Sequence, residues 1–155
     1  MKKFINHIDH ITWISRPENM AANVAQLEQV SGVKLEPYGS EEMGFSMYLS
    51  WEAGMEIISP LPHRTPFNEA LHARLEQQGE GVYAVVFGVD DLEAHRQRLE
   101  ALGLPVGPLM ENQPGTSWTE KVVVRERIGP DVMNTSFVLG QLDYREDVIT
   151  YIDVE

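Results

Sequence analysis

Two histidines near the N-terminus are the first residues whose type and spacing could support chemistry. His7 and His10 lie three residues apart in "INHIDHITWIS", residues 5–15. An imidazole binds divalent metal ions and transfers protons near neutral pH. On a helix this spacing would place both rings on one face, whereas on a strand the rings would point to opposite sides. The segment is rich in Ile, Thr and Trp and is too short for a stable helix, so the pattern predicts a strand with the two rings pointing apart.

The amino-acid composition excludes several kinds of site and of binding partner. The chain has 155 residues, of which 43% are hydrophobic, and no cysteine, so disulfides, thiolate ligands and a cysteine nucleophile are excluded. The formal charge of −12 would repel a phosphate backbone, so nucleic acid is not an expected partner. There is no apolar run of about 18 residues and no secretory signal pattern. We therefore expect a cytoplasmic protein without a membrane partner.

The elements that must position any site form a pattern of one strand, one helix and three strands over residues 6–60. Ser15 and Glu18 have the spacing of a capping box, and Pro17 fits the first turn of the helix. The helix carries an apolar stripe and stops at Gly32. Three candidate strands then cover residues 33–38, 43–51 and 54–60.

The same pattern recurs after a connector helix at about 65–79. A strand at 81–89 and a capped helix at 90–103 are followed by candidate strands at 104–110, 118–128 and 132–142. The second module therefore covers about 81–142, and an extra strand is expected at about 147–155. The repeat predicts an α+β fold of two βαβββ modules within one domain, residues 1–155.

Three stretches carry a resemblance to a known family. They are "IDHITW" and "GMEIISP", which open and close the first module, and "GEGVYAVVFGVDDLEAHRQRLEALG", which opens the second. Over about residues 6–140 the chain resembles the vicinal-oxygen-chelate superfamily, which includes glyoxalase I, methylmalonyl-CoA epimerase, extradiol dioxygenases and the bleomycin- and fosfomycin-resistance proteins. The resemblance implies curled mixed sheets that form a cup, helices on the outside, a small-molecule ligand and a homodimer.

The resemblance also implies a divalent metal site at the bottom of the cup. Its ligands in the first module would be His10 on the first strand and Glu56 on the last. The second module departs from the family pattern, since Ala84 stands where a His is usual, and Asn134 or Thr135 where a Glu is usual. Imidazole and carboxylate ligands suit Zn, Fe, Mn, Ni or Co.

Two readings of the histidine–glutamate pair follow. As metal ligands, His10 and Glu56 would need a third donor from His63, Asn134 or a chelating substrate. Without a metal, the pair would be an acid–base pair, because a partly buried carboxylate beside an imidazole has its pKa moved toward neutrality. Both readings place the two side chains on one face, and as ligands of one ion their donor atoms would lie within about 4.4 Å of each other. The acid–base reading suits an isomerase, epimerase or lyase, and the two readings together predict a lyase, isomerase or dioxygenase of the glyoxalase, epimerase or dioxygenase type.

A third reading is a metal-free binding protein that sequesters an apolar or aromatic compound, as the resistance proteins of this fold do. Aromatic and soft side chains on the predicted strands would line its cup, and Trp51 is one of them. Arg125 shares a strand face with Arg127 and could hold an anionic group. The predicted substrate-binding residues are Thr12, Met47, Tyr48, Trp118, Arg125 and Phe137.

Overall fold

The computed structural model describes residues 5–112 and 116–150. Three α-helices and two short 3-10 helices accompany eight strands. The α-helices are α1 (Met20–Ser31), α2 (Glu69–Gln78) and α3 (Leu92–Ala101). The strands are β1 (Ile8–Ile14), β2 (Glu36–Ser40), β3 (Phe45–Ser50), β4 (Met55–Pro60), β5 (Gly81–Gly88), β6 (Met110–Glu111), β7 (Val122–Val132) and β8 (Thr135–Tyr144). None of the described helices is long and apolar enough to cross a membrane.

The chain divides into two compact units. The first unit is His10–Ala84, and the second comprises the chain up to Asp9 and from Val85 onward. In the first unit the strand order is β2-β3-β4-β1, with β1 and β4 parallel and the other pairs antiparallel. In the second unit the order is β6-β7-β8-β5. The two orders are equivalent element by element, so the α+β fold with two βαβββ modules is confirmed.

Helix α1 covers one face of the sheet in the first unit. Its buried side chains Met20 and Val24 form a core cluster with Leu35 and Ile57. Partly buried side chains pack against this cluster, namely Trp13, Leu27, Tyr48 and Met55. Because side chains alternate along a strand, the neighbours of these strand residues point to the opposite face of the sheet.

Helix α3 has the same role in the second unit. Leu92 and Leu99 form a buried cluster with Val89 and Leu139. Partly buried apolar side chains complete this cluster, namely Phe87, Val106, Leu109 and Phe137. Each module therefore buries the apolar stripe of its own helix against its own strands.

The start of α1 differs from the predicted capping box. A 3-10 turn occupies Pro17–Asn19, and the Ser15 hydroxyl bonds to the carbonyl of Arg16 rather than capping the helix. The distant carboxylate of Glu80 accepts three hydrogen bonds around this turn instead. Its donors are the backbone N–H of Arg16 at 2.8 Å and the side-chain amides of Asn19 at 2.9 Å and Asn23 at 3.3 Å.

Two predicted strands are shorter or displaced in the second unit. The strand expected at 104–110 is reduced to Met110–Glu111, and the side-chain amide of Asn112 continues its pairing by bonding to the backbone of Val122 and Val124. The strand expected at 147–155 is not present over 147–150, where the chain forms a turn and then irregular structure. Residues 151–155 of that prediction lie outside the described part of the chain.

Candidate active site

The parallel pairing of β1 and β4 sets which side chains share a face. Thr12 is paired with Glu56, and Trp13 with Ile57. Trp13 and Ile57 belong to the core under α1, so Thr12 and Glu56 point to the opposite face. We call this face of the first unit the site face.

His10 lies on the site face beside Glu56. The Nε2 atom of His10 is 3.5 Å from the Oε2 atom of Glu56, and the two side chains are 4% and 13% exposed. This distance meets the sequence expectation of one shared face and a separation within about 4.4 Å. It exceeds the length of a good direct hydrogen bond, so the two groups interact mainly through their charges.

Burial of Glu56 raises the pKa of its carboxyl group above the usual range. Two weaker effects oppose this shift: the charge of nearby His10 and a hydrogen bond from the Thr12 hydroxyl, both of which favour the carboxylate. A carboxyl group with a raised pKa is a stronger base when ionised and holds a proton closer to neutral pH. The pair can therefore accept and return a proton at a position shielded from bulk water.

Trp51 packs against the imidazole of His10. The two ring centroids are 5.7 Å apart and the ring planes are inclined by 84°, an edge-to-face arrangement. Trp51 is 8% exposed, so it shields one side of His10 from solvent. The sequence suggested Trp51 only as a lining residue, because no short motif signals a ring contact between residues 41 positions apart.

The site face extends across β3 and β2. Leu49 of β3 is paired with Glu56 on one side and with Glu36 of β2 on the other. In the next row, Met47 is paired with Tyr38 of β2. The hydroxyl of Tyr38 donates a hydrogen bond of 2.9 Å to the Glu36 carboxylate. An apolar strip thus separates the Glu56 carboxyl group from a second polar pair at the sheet edge.

The predicted substrate-binding residues of the first unit divide between the two faces. Thr12 bonds to Glu56, and Met47 lies on the site face. Tyr48, the neighbour of Met47, packs into the cluster under α1 instead. Tyr48 is therefore not part of the site that we describe.

Three predicted substrate-binding residues belong to the second unit. Trp118 lies in a 3-10 helix, Ser117–Glu120. Arg125 on β7 pairs with Glu111 through its Nε atom at 3.2 Å. Phe137 packs in the cluster with α3. Their roles in substrate binding stay predictions.

The two further metal ligands that the sequence suggested, His63 and Asn134, both lie in turns. The Nε2 atom of His63 is 2.9 Å from the carbonyl oxygen of Glu41, in an exposed turn. Asn134 lies with Met133 in the tight turn between β7 and β8, with a φ angle of 59°. The expectation that Asn134 occupies the last strand of the second module is therefore wrong.

The counterpart of Glu56 in the second module is Val138. The N–H of Ser15, directly after β1, bonds to the carbonyl of Ile58, and the N–H of Val89, directly after β5, bonds to the carbonyl of Gly140. Glu56 and Val138 each lie two residues before these acceptors, on the same strand. The second module thus offers a valine at this position and Ala84, a methyl group, at the other.

The residues present do not fit a divalent metal site supplied by the protein. The separation of His10 and Glu56 would suit a shared ion, but protein sites for Zn²⁺ and related ions take three or four ligands. Over residues 5–112 and 116–150, no group of three or more His, Cys, Asp and Glu side chains is arranged to hold such an ion. We therefore derive the chemistry of the site from its own side chains.

Comparisons with known proteins agree with this fold. Methylmalonyl-CoA epimerase from Mycobacterium tuberculosis is similar in structure, with a TM-score of 0.64, 15% identity and 91% of each chain covered. A Streptomyces coelicolor methylmalonyl-CoA epimerase in complex with 2-nitronate-propionyl-CoA gives a TM-score of 0.63 and 20% identity over 90% of this chain and 95% of that one. A hypothetical protein from Bacillus halodurans C-125 gives a TM-score of 0.68 and 13% identity, over 90% of this chain and 96% of that one.

These identities are low, so the structural likeness shows the fold and not the reaction. No curated protein matches the chain. The model of the glyoxalase-like domain matches residues 8–132, which is well over half of the chain. The resemblance to the vicinal-oxygen-chelate superfamily is thereby confirmed, and the chain belongs to the glyoxalase-like domain family.

Proposed function

We propose that this protein is a small-molecule enzyme that transfers a proton at a carbon atom next to a carbonyl group. The observation that carries the proposal is the buried pair of Glu56 and His10, 3.5 Å apart on the site face. Proton transfer of this kind needs a base held in a water-poor site with its pKa moved toward neutrality. The raised pKa of Glu56 meets that need.

Each residue of the site has a distinct role in this mechanism. The Glu56 carboxylate accepts the proton from the substrate carbon, the electron pair of the C–H bond forms the C=C bond of an enolate, and the π pair of the C=O bond moves onto the oxygen. The His10 imidazole stabilises the negative charge that develops beside it. The Thr12 hydroxyl, by donating to Glu56, orients the carboxylate. Return of the proton by Glu56 to a neighbouring carbon gives isomerisation, whereas epimerisation requires that a second acid return a proton to the opposite face of the same carbon.

The comparisons support this class of reaction over the other members of the superfamily. The similar structures include proteins named as methylmalonyl-CoA epimerases, and the family model is that of a glyoxalase-like domain. Dioxygenase chemistry would need a redox-active ion held by the protein, and the donor set at His10 and Glu56 is too small for one. An isomerase needs only the pair that the fold brings together, and an epimerase needs one further acid.

Hydrogen exchange with solvent tests the proposal. A panel of acyl thioesters and α-substituted ketones is incubated with the protein in D₂O after treatment with EDTA, and loss of the α-proton signal is followed by NMR. We expect exchange with at least one compound, and exchange slowed by about 100-fold or more in Glu56→Gln. Glu18→Gln is the matched control, because Glu18 is exposed and lies outside the site.

The binding-protein alternative predicts a different result. Met47, Leu49 and Trp51 are buried near the pair and make its surroundings apolar, which would suit an aromatic compound. In that case, apolar compounds would raise the melting temperature of the protein, while the wild type would catalyse no exchange with any member of the panel. This outcome would contradict the enzyme proposal.

The expected homodimer and the cytoplasmic location also stay proposals. A homodimer predicts a solution mass of about twice the 17.6 kDa of the chain. Light scattering coupled to gel filtration measures this mass, and a monomer at micromolar concentration would contradict the dimer.

A further inference from the structure

Trp51 and His10 lie in one row of the first unit's sheet, with a glycine between them. The register that pairs Met55 of β4 with β1 on one side and β3 on the other continues one row further. There it aligns His10 with Gly54 and Gly54 with Trp51. Strands two apart are separated by about 9.6 Å, whereas the centroids of the two rings are 5.7 Å apart. The rings therefore lean toward each other across a position that has no side chain.

The turn that carries Trp51 is tied to the strand that carries His10. The N–H of Gly54 donates to the carbonyl of Trp51 at 3.3 Å, and the carbonyl of Gly54 accepts from the N–H of Ile11 at 3.0 Å. Gly54 has a φ angle of 65°, in the left-handed region that favours glycine. These bonds fix the backbone below the indole relative to the backbone below the imidazole, so the contact between the rings is built into the turn.

The same contact constrains how the imidazole of His10 can turn. The ring planes are inclined by 84°, and an edge-to-face contact of this kind depends on the angle between the rings. His10 is 4% exposed, and its Nε2 atom is 3.5 Å from the Oε2 atom of Glu56. A rotation of the imidazole about its χ2 angle would break the edge-to-face contact and move Nε2 away from the carboxyl group. The orientation that Trp51 favours is thus the one that brings Nε2 beside Glu56.

We propose that Trp51 is a positioning residue, whose indole holds the imidazole of His10 in the orientation that keeps Nε2 beside the Glu56 carboxyl group. This inference rests on the proposed function, since it accounts for the geometry that proton transfer by the pair requires. A misplacement of about 1 Å near reacting groups can lower a rate by about 100-fold. Removal of the indole should therefore slow the reaction step more than it weakens substrate binding.

The exchange assay in D₂O separates positioning from packing. With the compound of the panel that exchanges fastest, we expect Trp51→Leu to lower kcat by roughly 10- to 100-fold and to change KM by less than about threefold. Trp51→Phe keeps an aromatic ring and should recover most of the rate. Trp13→Leu is the matched control, because Trp13 packs in the cluster under α1 on the opposite face of the same sheet. It removes the same kind of ring and should leave kcat nearly unchanged.

NMR of the His10 ring is a second measurement, which needs no substrate. At about pH 8, where an ordinary imidazole is neutral, a ring held in one orientation should show two ring-nitrogen shifts typical of a single tautomer. We expect this pattern in the wild type, together with nuclear Overhauser effects between the indole and imidazole protons. In Trp51→Leu the two nitrogen shifts should move toward those of free histidine, whereas Trp13→Leu should leave them in place.

Several outcomes would overturn the inference. They are an unchanged kcat in folded Trp51→Leu, an equal loss of kcat in Trp13→Leu, no recovery in Trp51→Phe, and wild-type ring-nitrogen shifts equal to those of free histidine. The last result would decide the matter even if Trp51→Leu does not fold. A wild type that catalyses no exchange would contradict the proposed function alone, because the ring-nitrogen shifts still test the orientation of His10.

Discussion

The Oε2 atom of Glu56 and the Nε2 atom of His10 lie 3.5 Å apart on the sheet face opposite α1. The corresponding positions of the second module hold Val138 and Ala84, neither of which carries a polar side chain. The repeat therefore has the polar pair in one module and apolar side chains in the other. Chemistry that needs only one acid–base pair is compatible with this asymmetry, whereas a complete metal shell from both modules is not.

Replacement of Glu56 by Gln is expected to change how stability depends on pH. Because the folded state raises the pKa of Glu56, folded protein keeps this proton to higher pH than unfolded protein, whose value is about 4.3. The wild-type free energy of unfolding therefore decreases, relative to Glu56→Gln, as pH rises from the unfolded pKa to the folded one. Each unit of pKa difference corresponds to about 1.4 kcal/mol.

Urea unfolding of both proteins between about pH 4 and pH 8 measures this difference. Gln preserves the size of the side chain and its capacity to accept from Thr12, so the comparison isolates ionisation. We expect Glu56→Gln to be at least as stable as the wild type at pH 7. A stability difference that does not change across this pH range would contradict the assignment.

The contribution of Glu80 to the free energy of unfolding is expected to depend on pH in the opposite sense to that of Glu56. The N–H of Arg16, followed by the amide of Asn19, lowers the pKa of Glu80. Its stabilisation is thus present above the unfolded pKa and is lost as pH falls through the folded pKa. Because Glu80 is exposed and screened by solvent, we expect Glu80→Ala to cost about 1 kcal/mol at pH 7 and much less at pH 3.

Glu18→Ala is the control for this measurement. The structure assigns the capping role to Glu80 and not to Glu18, the residue that the sequence spacing suggested. The free energy of unfolding, measured with urea, should change little in Glu18→Ala. A larger loss of stability in Glu18→Ala than in Glu80→Ala would contradict this assignment and support the capping box predicted from the sequence.

Removal of the Trp51 ring is expected to be strongly destabilising. Trp51 is 8% exposed and packs edge-to-face on His10, so Trp51→Ala leaves a cavity beside the site and should cost about 3 to 5 kcal/mol. Trp51→Phe keeps an aromatic ring and should cost less. Unfolding in urea gives both values, and a loss below about 1 kcal/mol for Trp51→Ala would show that the ring is not part of the core.

Divalent metal ions are expected to bind weakly and without effect on proton exchange. Two protein donors hold such ions poorly, since their sites take three or four ligands. Elemental analysis of protein after gel filtration with Zn²⁺, Mn²⁺, Ni²⁺ or Co²⁺ should show far less than one ion per chain. One retained ion per chain that is lost in His10→Ala would contradict our description of the site.

The part of the site that the sequence predicted depends on the alternation of strand residues. His10 lies two positions before Thr12, and Glu56 lies two positions before Ile58. Because side chains alternate along a strand, each of these pairs points to the site face. This rule needs no knowledge of distant contacts. The repeat of elements was detectable for a similar reason, since helix and strand periods differ within each module.

The features that the sequence did not reveal depend on contacts between distant residues. Glu80 reaches the backbone of Arg16 across 64 positions, and no local pattern links them. The start of β8 was predicted incorrectly because the turn at Met133 and Asn134 lies inside the strand predicted at 132–142. Val138 was overlooked as the counterpart of Glu56, since an alignment by residue type fails where the second module has no polar residue at that position.

The titration of Glu56 by carboxyl-carbon NMR tests the central claim most directly, because every role proposed for the site depends on a buried carboxyl group coupled to His10. We predict that Glu56 titrates above the ordinary glutamate range in the wild type. In His10→Gln its pKa should rise further, because the imidazole charge that favours the carboxylate is removed. An ordinary pKa for Glu56, or one that His10→Gln leaves unaltered, would contradict the coupled acid–base pair.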